Sequence, residues 1–166
     1  MGRLDRLWTS NKHNEVISFC NVLLTKNPTD LFAFYYRGLS NEKLNLLDES
    51  LEDFKQAETI LTNYKRTALI KDYFTKIPVQ MSRVYKKLQN TEKAFEYADK
   101  AVQADKSEID GLKWRAFLKE DLGDLIGASE DINEAMRRRP KDKVIVKMRD
   151  RLTYFIIQDK KETANR

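Results

Sequence analysis

Small residues recur along this sequence at a fixed interval. Ala101 and Ala135 lie 34 residues apart, and each closes the same phrase of a small residue, six residues and another small residue. The first phrase runs from Ala94 to Ala101 and the second from Ala128 to Ala135. Leu23 and Ala57 are also 34 apart, and the step from Ala57 to Ala101 is 44, one period plus ten. A 34-residue period built only of helical pattern buries its apolar faces by stacking helical hairpins on one another.

Composition sets the outer bounds. The 166 residues suffice for one domain with a real core. An apolar fraction of 41% with 17 aromatics argues against disorder. Five glycines and three prolines leave few places for turns, so the protein should be mostly helix. No apolar run approaches the ~20 residues a membrane span needs. The opening MGRLDRLWTSNKH has no apolar signal core. A single cysteine, Cys20, rules out an internal disulfide and fits a reducing compartment. The expectation is a soluble, cytoplasmic domain.

Charge is unevenly placed. The net charge is +5, but from Arg137 onward eleven Lys and Arg stand against four Asp and Glu. A basic end can meet nucleic acid, an anionic membrane surface or an acidic protein tail. It can also be a solvated last helix whose cations suit its own dipole.

Hydrophobic spacing and stop signals divide the sequence. Leu4, Leu7 and Trp8 mark a short first helix, and Val16, Ile17, Cys20, Leu23 and Leu24 a second that ends at Asn27-Pro28. A third spans about Leu31 to Leu44, and a fourth starts at Asp48 with Leu51, Phe54, Ala57 and Ile60 on one face. The excess of ten falls within 62–76, which has helical pattern (Tyr64, Leu69, Tyr73, Phe74) and reads as an extension of helix four. Pro78 should then break or kink the backbone. Further helices are expected from about Pro78 to Leu88, from Asn90-Thr91 to Ala104, over Ile109–Leu122 and Leu125–Arg138, and from Asp142 to about Lys160. Gly38, Ala116 and the registered alanines are small where helices approach to about 8–10 Å.

These residues resemble the tetratricopeptide repeat family. One repeat carries Phe34-Tyr35-Tyr36-Arg37-Gly38-Leu39 with Leu44, Asn45, Ser50, Phe54 and Ala57. Another carries Leu112, Arg115-Ala116, Leu122-Gly123-Asp124, Ala128, Ile132, Ala135 and Pro140. A third, weaker copy has Tyr85, Leu88-Gln89-Asn90, Ala94, Ala98 and Ala101, with Ser82 at the small site and Lys106 where the repeat usually closes with proline. The resemblance implies an all-α fold, a right-handed superhelical stack of antiparallel hairpins forming one domain. Its parts would be a partial repeat at 1–28, repeats at 31–61, 77–106 and 109–140, the extension at 62–76, and a capping helix at 142–160. The clipped first repeat implies a longer parent protein or an element supplied by a partner.

No catalytic constellation stands out, and neither enzymatic activity nor a cofactor is expected. The lone His13 sits at the expected first turn, beside Asn11 and Asn14, where surface placement is the usual outcome. His13 and Cys20 lack the further ligands a zinc site needs. Gly123-Asp-Leu-Ile-Gly127 lacks the Lys-Ser/Thr ending of a phosphate loop.

The resemblance therefore points to the concave face lined by first helices, which in the family holds a peptide of a partner protein. By register the peptide-binding candidates are Phe32, Tyr35, Leu39, Arg83, Lys86, Lys87, Lys113, Phe117, Lys147 and Arg151, whose cations favour an acidic ligand. The family's carboxylate clamp for chaperone tails is not expected. Its five positions fall on Tyr35, Leu39, Gln80, Asp110 and Trp114, or in the alternative register on Met1, Asp5, Tyr36, Lys76 and Gln80. Two other readings remain open. One is nucleic-acid binding through Arg137, Arg138, Arg139, Lys141, Lys143, Lys147, Arg149 and Arg151. The other is self-association through an exposed face of Leu4, Leu7 and Trp8.

Overall fold

The structure is a computed structural model and describes residues 3–63, 67–105 and 109–164. Within them the helices are α1 (Arg3–Thr9), α2 (His13–Lys26), α3 (Leu31–Lys43), α4 (Leu47–Thr62), α5 (Tyr73–Lys87), α6 (Thr91–Ala104), α7 (Asp110–Asp121), α8 (Leu125–Arg138) and α9 (Lys143–Ala164). Each helix packs on its neighbours in sequence, giving four hairpins and a final helix. The first helices of successive hairpins also touch, α1 on α3, α3 on α5 and α5 on α7, and form a common face. This is the expected all-α superhelical stack. No helix is long and apolar enough to cross a membrane among the described residues.

The hairpin turns repeat one another. Asn11, Asn45, Gln89 and Gly123 all have left-handed backbone, at φ 54°, 62°, 59° and 82°. Their spacing is 34, 44 and 34 residues, the period of the alanines. Each turn is closed by the amide of the next residue donating back five positions, as in Leu46 to the Asn41 carbonyl at 2.8 Å and Asn90 to the Tyr85 carbonyl at 2.9 Å. Such a bond satisfies carbonyls that a helix end leaves orphaned. Two of the second helices then start on a capping side chain: Asn90 Oδ1 accepts from the Lys93 amide and Asp124 Oδ1 from the Gly127 amide.

Two salt-bridge clamps tie helices across hairpins. Arg37 on α3 donates to Asp53 on α4 and to Asn21 on α2, at 2.6 Å in both cases. Arg115 on α7 repeats the arrangement with Asp131 on α8 at 2.6 Å and Asp99 on α6 at 2.7 Å. Both acids lie 16 residues after their arginine, and the second partners 16 before. Asp53 also accepts from the Asn41 amide nitrogen, yet burial still pushes its carboxyl above the ordinary carboxylate range. The bonds to Asp131 hold the Arg115 guanidinium above its ordinary pKa. In the third hairpin the equivalent register holds Met81, fully buried, and Tyr97, which stacks on Tyr85 at 5.4 Å. Small residues permit the remaining close approaches. A Cβ on Gly38 would sit 2.9 Å from the Phe54 ring, and one on Gly111 would sit 2.8 Å from the Ala101 backbone.

The structure corrects the expected extension of helix four. α4 stops at Thr62, residues 68–72 form turns, and α5 begins at Tyr73, five residues before Pro78. Pro78 neither starts nor ends its helix. It sits near the N-terminus, where it removes only one of the earliest intrahelical bonds, and Phe74 and Pro78 join the apolar packing beside Leu61 and Ile77. Ile70, 5% exposed, anchors the intervening turn in the core. Tyr64, placed on that helical pattern, and Lys106, at the repeat-closing site, lie outside the described residues, as does Met1 of the alternative clamp register.

Two stability measurements follow from these contacts. Gln89 is the turn residue least suited to left-handed backbone, so Gln89→Gly should raise unfolding stability by about 0.5–1 kcal/mol in urea titration. Asp131→Ala leaves Arg115 with Asp99 alone and removes the carboxylate 3.0 Å from Lys119. It should cost about 2–3 kcal/mol in the same assay, somewhat less than for a fully enclosed pair, because the Arg115 side chain remains 23% exposed.

Candidate functional site

The first helices present i, i+3 and i+4 positions to the concave face, which is why Lys76, Val79, Gln80 and Arg83 of α5 share one wall. Across from them stand Asp110, Lys113, Trp114 and Phe117 of α7, and the two walls enclose a groove of about 450 Å³. Trp114 and Phe117, one turn apart, stack with ring centroids 4.9 Å apart. Trp114 is fixed from behind by its indole N–H, which donates to Ser82 Oγ at 2.6 Å, and that hydroxyl donates to the Ala94 carbonyl. Cations of α5 lie over both rings, Arg83 4.8 Å from Trp114 and Lys86 5.4 Å from Phe117. The groove thus presents a rigid aromatic pair bordered by positive charge, a combination suited to an extended segment with apolar and acidic side chains.

The structure brings Arg83, Lys113 and Phe117 together in this groove, with Lys86 at its edge. It does not bring Phe32, Tyr35 and Leu39 there. Tyr35 and Leu39 are 7% and 8% exposed and belong to the core. Tyr73, delivered by the turn at 68–72, sets its ring edge-on against Tyr35 at 5.0 Å and Phe32 at 5.3 Å. Lys76 covers another side of that ring at 5.2 Å. The inserted residues therefore fill the concave face between α3 and α5, and the groove opens only beyond it. Burial pushes the Tyr35 hydroxyl well above its ordinary pKa, against the lowering effect of the Gln80 side chain.

Most of the expected cations already hold carboxylates of the protein itself. Lys87 on α5 reaches the buried Glu42 of α3 at 2.7 Å. Lys86 reaches Asp121 of α7 at 3.0 Å, and Arg151 of α9 reaches Glu120 of α7 at 2.5 Å. These three pairs run along one rim and join the last turns of α3, α5 and α7 to α9. Lys113 pairs with Asp110 at 2.7 Å within its own helix. Lys147 is exposed on α9. Arg83 has its aromatic partner and no carboxylate partner among the described residues. Gln80 and Trp114 are groove residues that sequence register placed only at clamp positions.

The alternative surfaces are also partly occupied. Arg137 and Arg138 both bind Glu134, whose carboxyl they hold below its ordinary range. Arg149 binds Asp150. Leu4, Leu7 and Trp8 are half-buried rather than exposed, because α1 lies against α2 and α3, with Trp8 edge-on to His13 at 5.0 Å. His13 is itself half-buried in that contact and not a surface ornament. Among the described residues no cluster of three or more His, Cys, Asp or Glu is placed to hold a metal.

Comparison with known proteins agrees with this architecture. Residues 79–108 match the tetratricopeptide repeat family model. The sequence matches no curated protein significantly. Among solved structures, the protein is similar to YrrB, described as a TPR protein with an unusual peptide-binding site. The identity there is 14%, over 92% of this protein and 73% of that one, with a TM-score of 0.63. It is similar at 14% identity to the first TPR of Spaghetti bound to an HSP90 peptide, over 76% of this protein and 95% of that one, with a TM-score of 0.62. The C-terminal TPR-containing domain of a Plasmodium falciparum putative FK506-binding protein shares 19% identity over 79% of this protein and 91% of that domain, with a TM-score of 0.58. At these identities the likeness is one of fold.

Cys20 allows a check on chemistry away from the groove. It is fully buried, and desolvation pushes its thiol up to about 12 despite the nearby Arg37 charge. At pH 8 the native protein should leave Cys20 unlabelled by a thiol reagent for hours, and label fully in denaturant. Rapid labelling of the native protein would show that the α2–α3 packing opens.

Proposed function

With the tetratricopeptide repeat fold as premise, we propose that this protein is a non-catalytic, intracellular adaptor that binds a segment of a partner protein in the groove between α5 and α7. The observation that carries this reading is the Trp114–Phe117 pair, locked from behind by Ser82 and bordered by Arg83, Lys86, Lys76 and Lys113. Rigid aromatics beside an arginine are the usual composition of binding hot spots. Arg83, without a carboxylate partner among the described residues, favours an acidic segment. One neighbour of the same fold is described with a peptide-binding site and another with a bound peptide, which supports the class of ligand.

A chaperone-tail clamp is not proposed, since Gln80, Asp110 and Trp114 stand where the family's Asn, Lys and Arg would be needed. Nucleic-acid binding through the C-terminal helix is the weaker alternative, because four of the arginines it would use already pair with carboxylates of the protein, Arg137 and Arg138 sharing Glu134, Arg149 on Asp150 and Arg151 on Glu120. Charge reversal at Lys87 is a poor probe of the groove, as it would leave the Glu42 carboxylate buried beside a like charge.

Phe117 is the better probe, being 37% exposed, with a side chain that makes no hydrogen bond. Phe117→Ala should change unfolding stability by less than about 1 kcal/mol and weaken partner capture by about tenfold or more. Quantitative affinity purification with mass spectrometry, wild type beside variant, reads the effect. An unchanged set of captured proteins would remove the groove from consideration.

A further inference from the structure

The cations that border the α5–α7 groove differ in what they still lack. Lys113 and Lys86 have carboxylates of the protein itself within 3.0 Å, and Lys76 has Asp72 at 3.5 Å. Arg83 is exposed and its only described partner is the Trp114 face. The groove is therefore complete in its lysines and incomplete in one guanidinium.

We propose that Arg83 is the specificity-determining residue of the groove and holds a carboxylate of the bound peptide. Stacking on Trp114 restrains the guanidinium and leaves its fork of N–H donors free of any carboxylate. A planar, pre-oriented fork matches the two oxygens of a carboxylate, where an ammonium offers only a point charge. Val79 and Phe117 give the residue next to the acid an apolar seat. The carboxylate can come from an Asp or Glu side chain or from the free carboxyl end of the peptide, and the two sources share this chemistry. The inference rests on the groove reading above and adds to it the group that is read and the residue that reads it.

Three pools of nine-residue peptides test it, with Asp, Glu and Cys excluded from the random positions. One is capped at both ends with a central Glu, one is capped with a central Gln, and one has a central Gln and a free carboxyl end. Retention of each is measured on the immobilised full-length protein: wild type, Arg83→Lys and Phe117→Ala, each checked for native helicity. The expected result is about tenfold greater retention of an acid-bearing pool than of the capped Gln pool on wild type, abolished by Arg83→Lys although the charge is kept. Which of the two acid-bearing pools is retained identifies the source. Equal retention of all pools, or a preference that survives in Arg83→Lys, overturns the role of Arg83. If Phe117→Ala still lowers retention in that case, the groove stands without its proposed anchor. If neither variant changes retention, or no pool is retained, the groove reading falls with it.

Discussion

The arrangement depends on one repeated electrostatic contact, an arginine in a first helix that grips the second helix of its own hairpin and that of the hairpin before. Arg37 and Arg115 each span three helices with a single side chain. A stack of hairpins has no long-range contacts to fix its curvature, since each unit touches only its neighbours. Apolar packing sets how close the helices lie, but it is tolerant of rotation. A guanidinium with donors committed in two directions is not. The clamps thus define the angle at which hairpins two and four join their predecessors, and with it the direction in which α7 turns its Trp114 and Phe117.

Much of this was legible in the sequence because the repeat imposes the same local problem several times. The alanine register located second helices, and the boundaries expected at Leu125–Arg138 and Thr91–Ala104 match those observed. Arg37 and Arg115 stood in the repeat pattern, whereas Asp53 and Asp131, each beside a glutamate on a polar helix face, read as solvated and are in fact buried. The matched spacing of 16 to Asp53 and Asp131 was the available signal. Left-handed backbone at Asn11 and Asn45 was foreshadowed by residue type, while Gln89 hides the same conformation behind an ordinary side chain.

The misplaced site residues share one cause. Arg83, Lys113 and Phe117 came from helical register alone, and register holds wherever the repeat is regular. Phe32, Tyr35 and Leu39 have the same register, yet the inserted turn carries Tyr73 onto the two aromatics and helps close that face. The apolar spacing of Leu69, Ile70, Tyr73 and Phe74 fits a longer helix and a folded plug equally well by periodicity. Only the position of Ile70 in the core distinguishes the two, and that is a tertiary fact.

The absence of a clamp at Met81 bears on mechanics. Where α4 meets α5 no arginine spans the seam at that register; a void of about 280 Å³ lined by Leu61, Phe74, Ile77, Pro78 and Ala104 lies there, and the crossing ion pairs are made by lysines, Lys100 to Glu58 at 2.6 Å and Lys87 to Glu42 at 2.7 Å. A lysine on a flexible stem holds one point and lets the helices swivel about it, whereas a guanidinium committed in two directions resists rotation. Considered as a spring, the molecule is stiff in its second and fourth coils and compliant between them. A load applied to its two ends would be taken up as bending at that seam, next to the wall of the groove formed by α5.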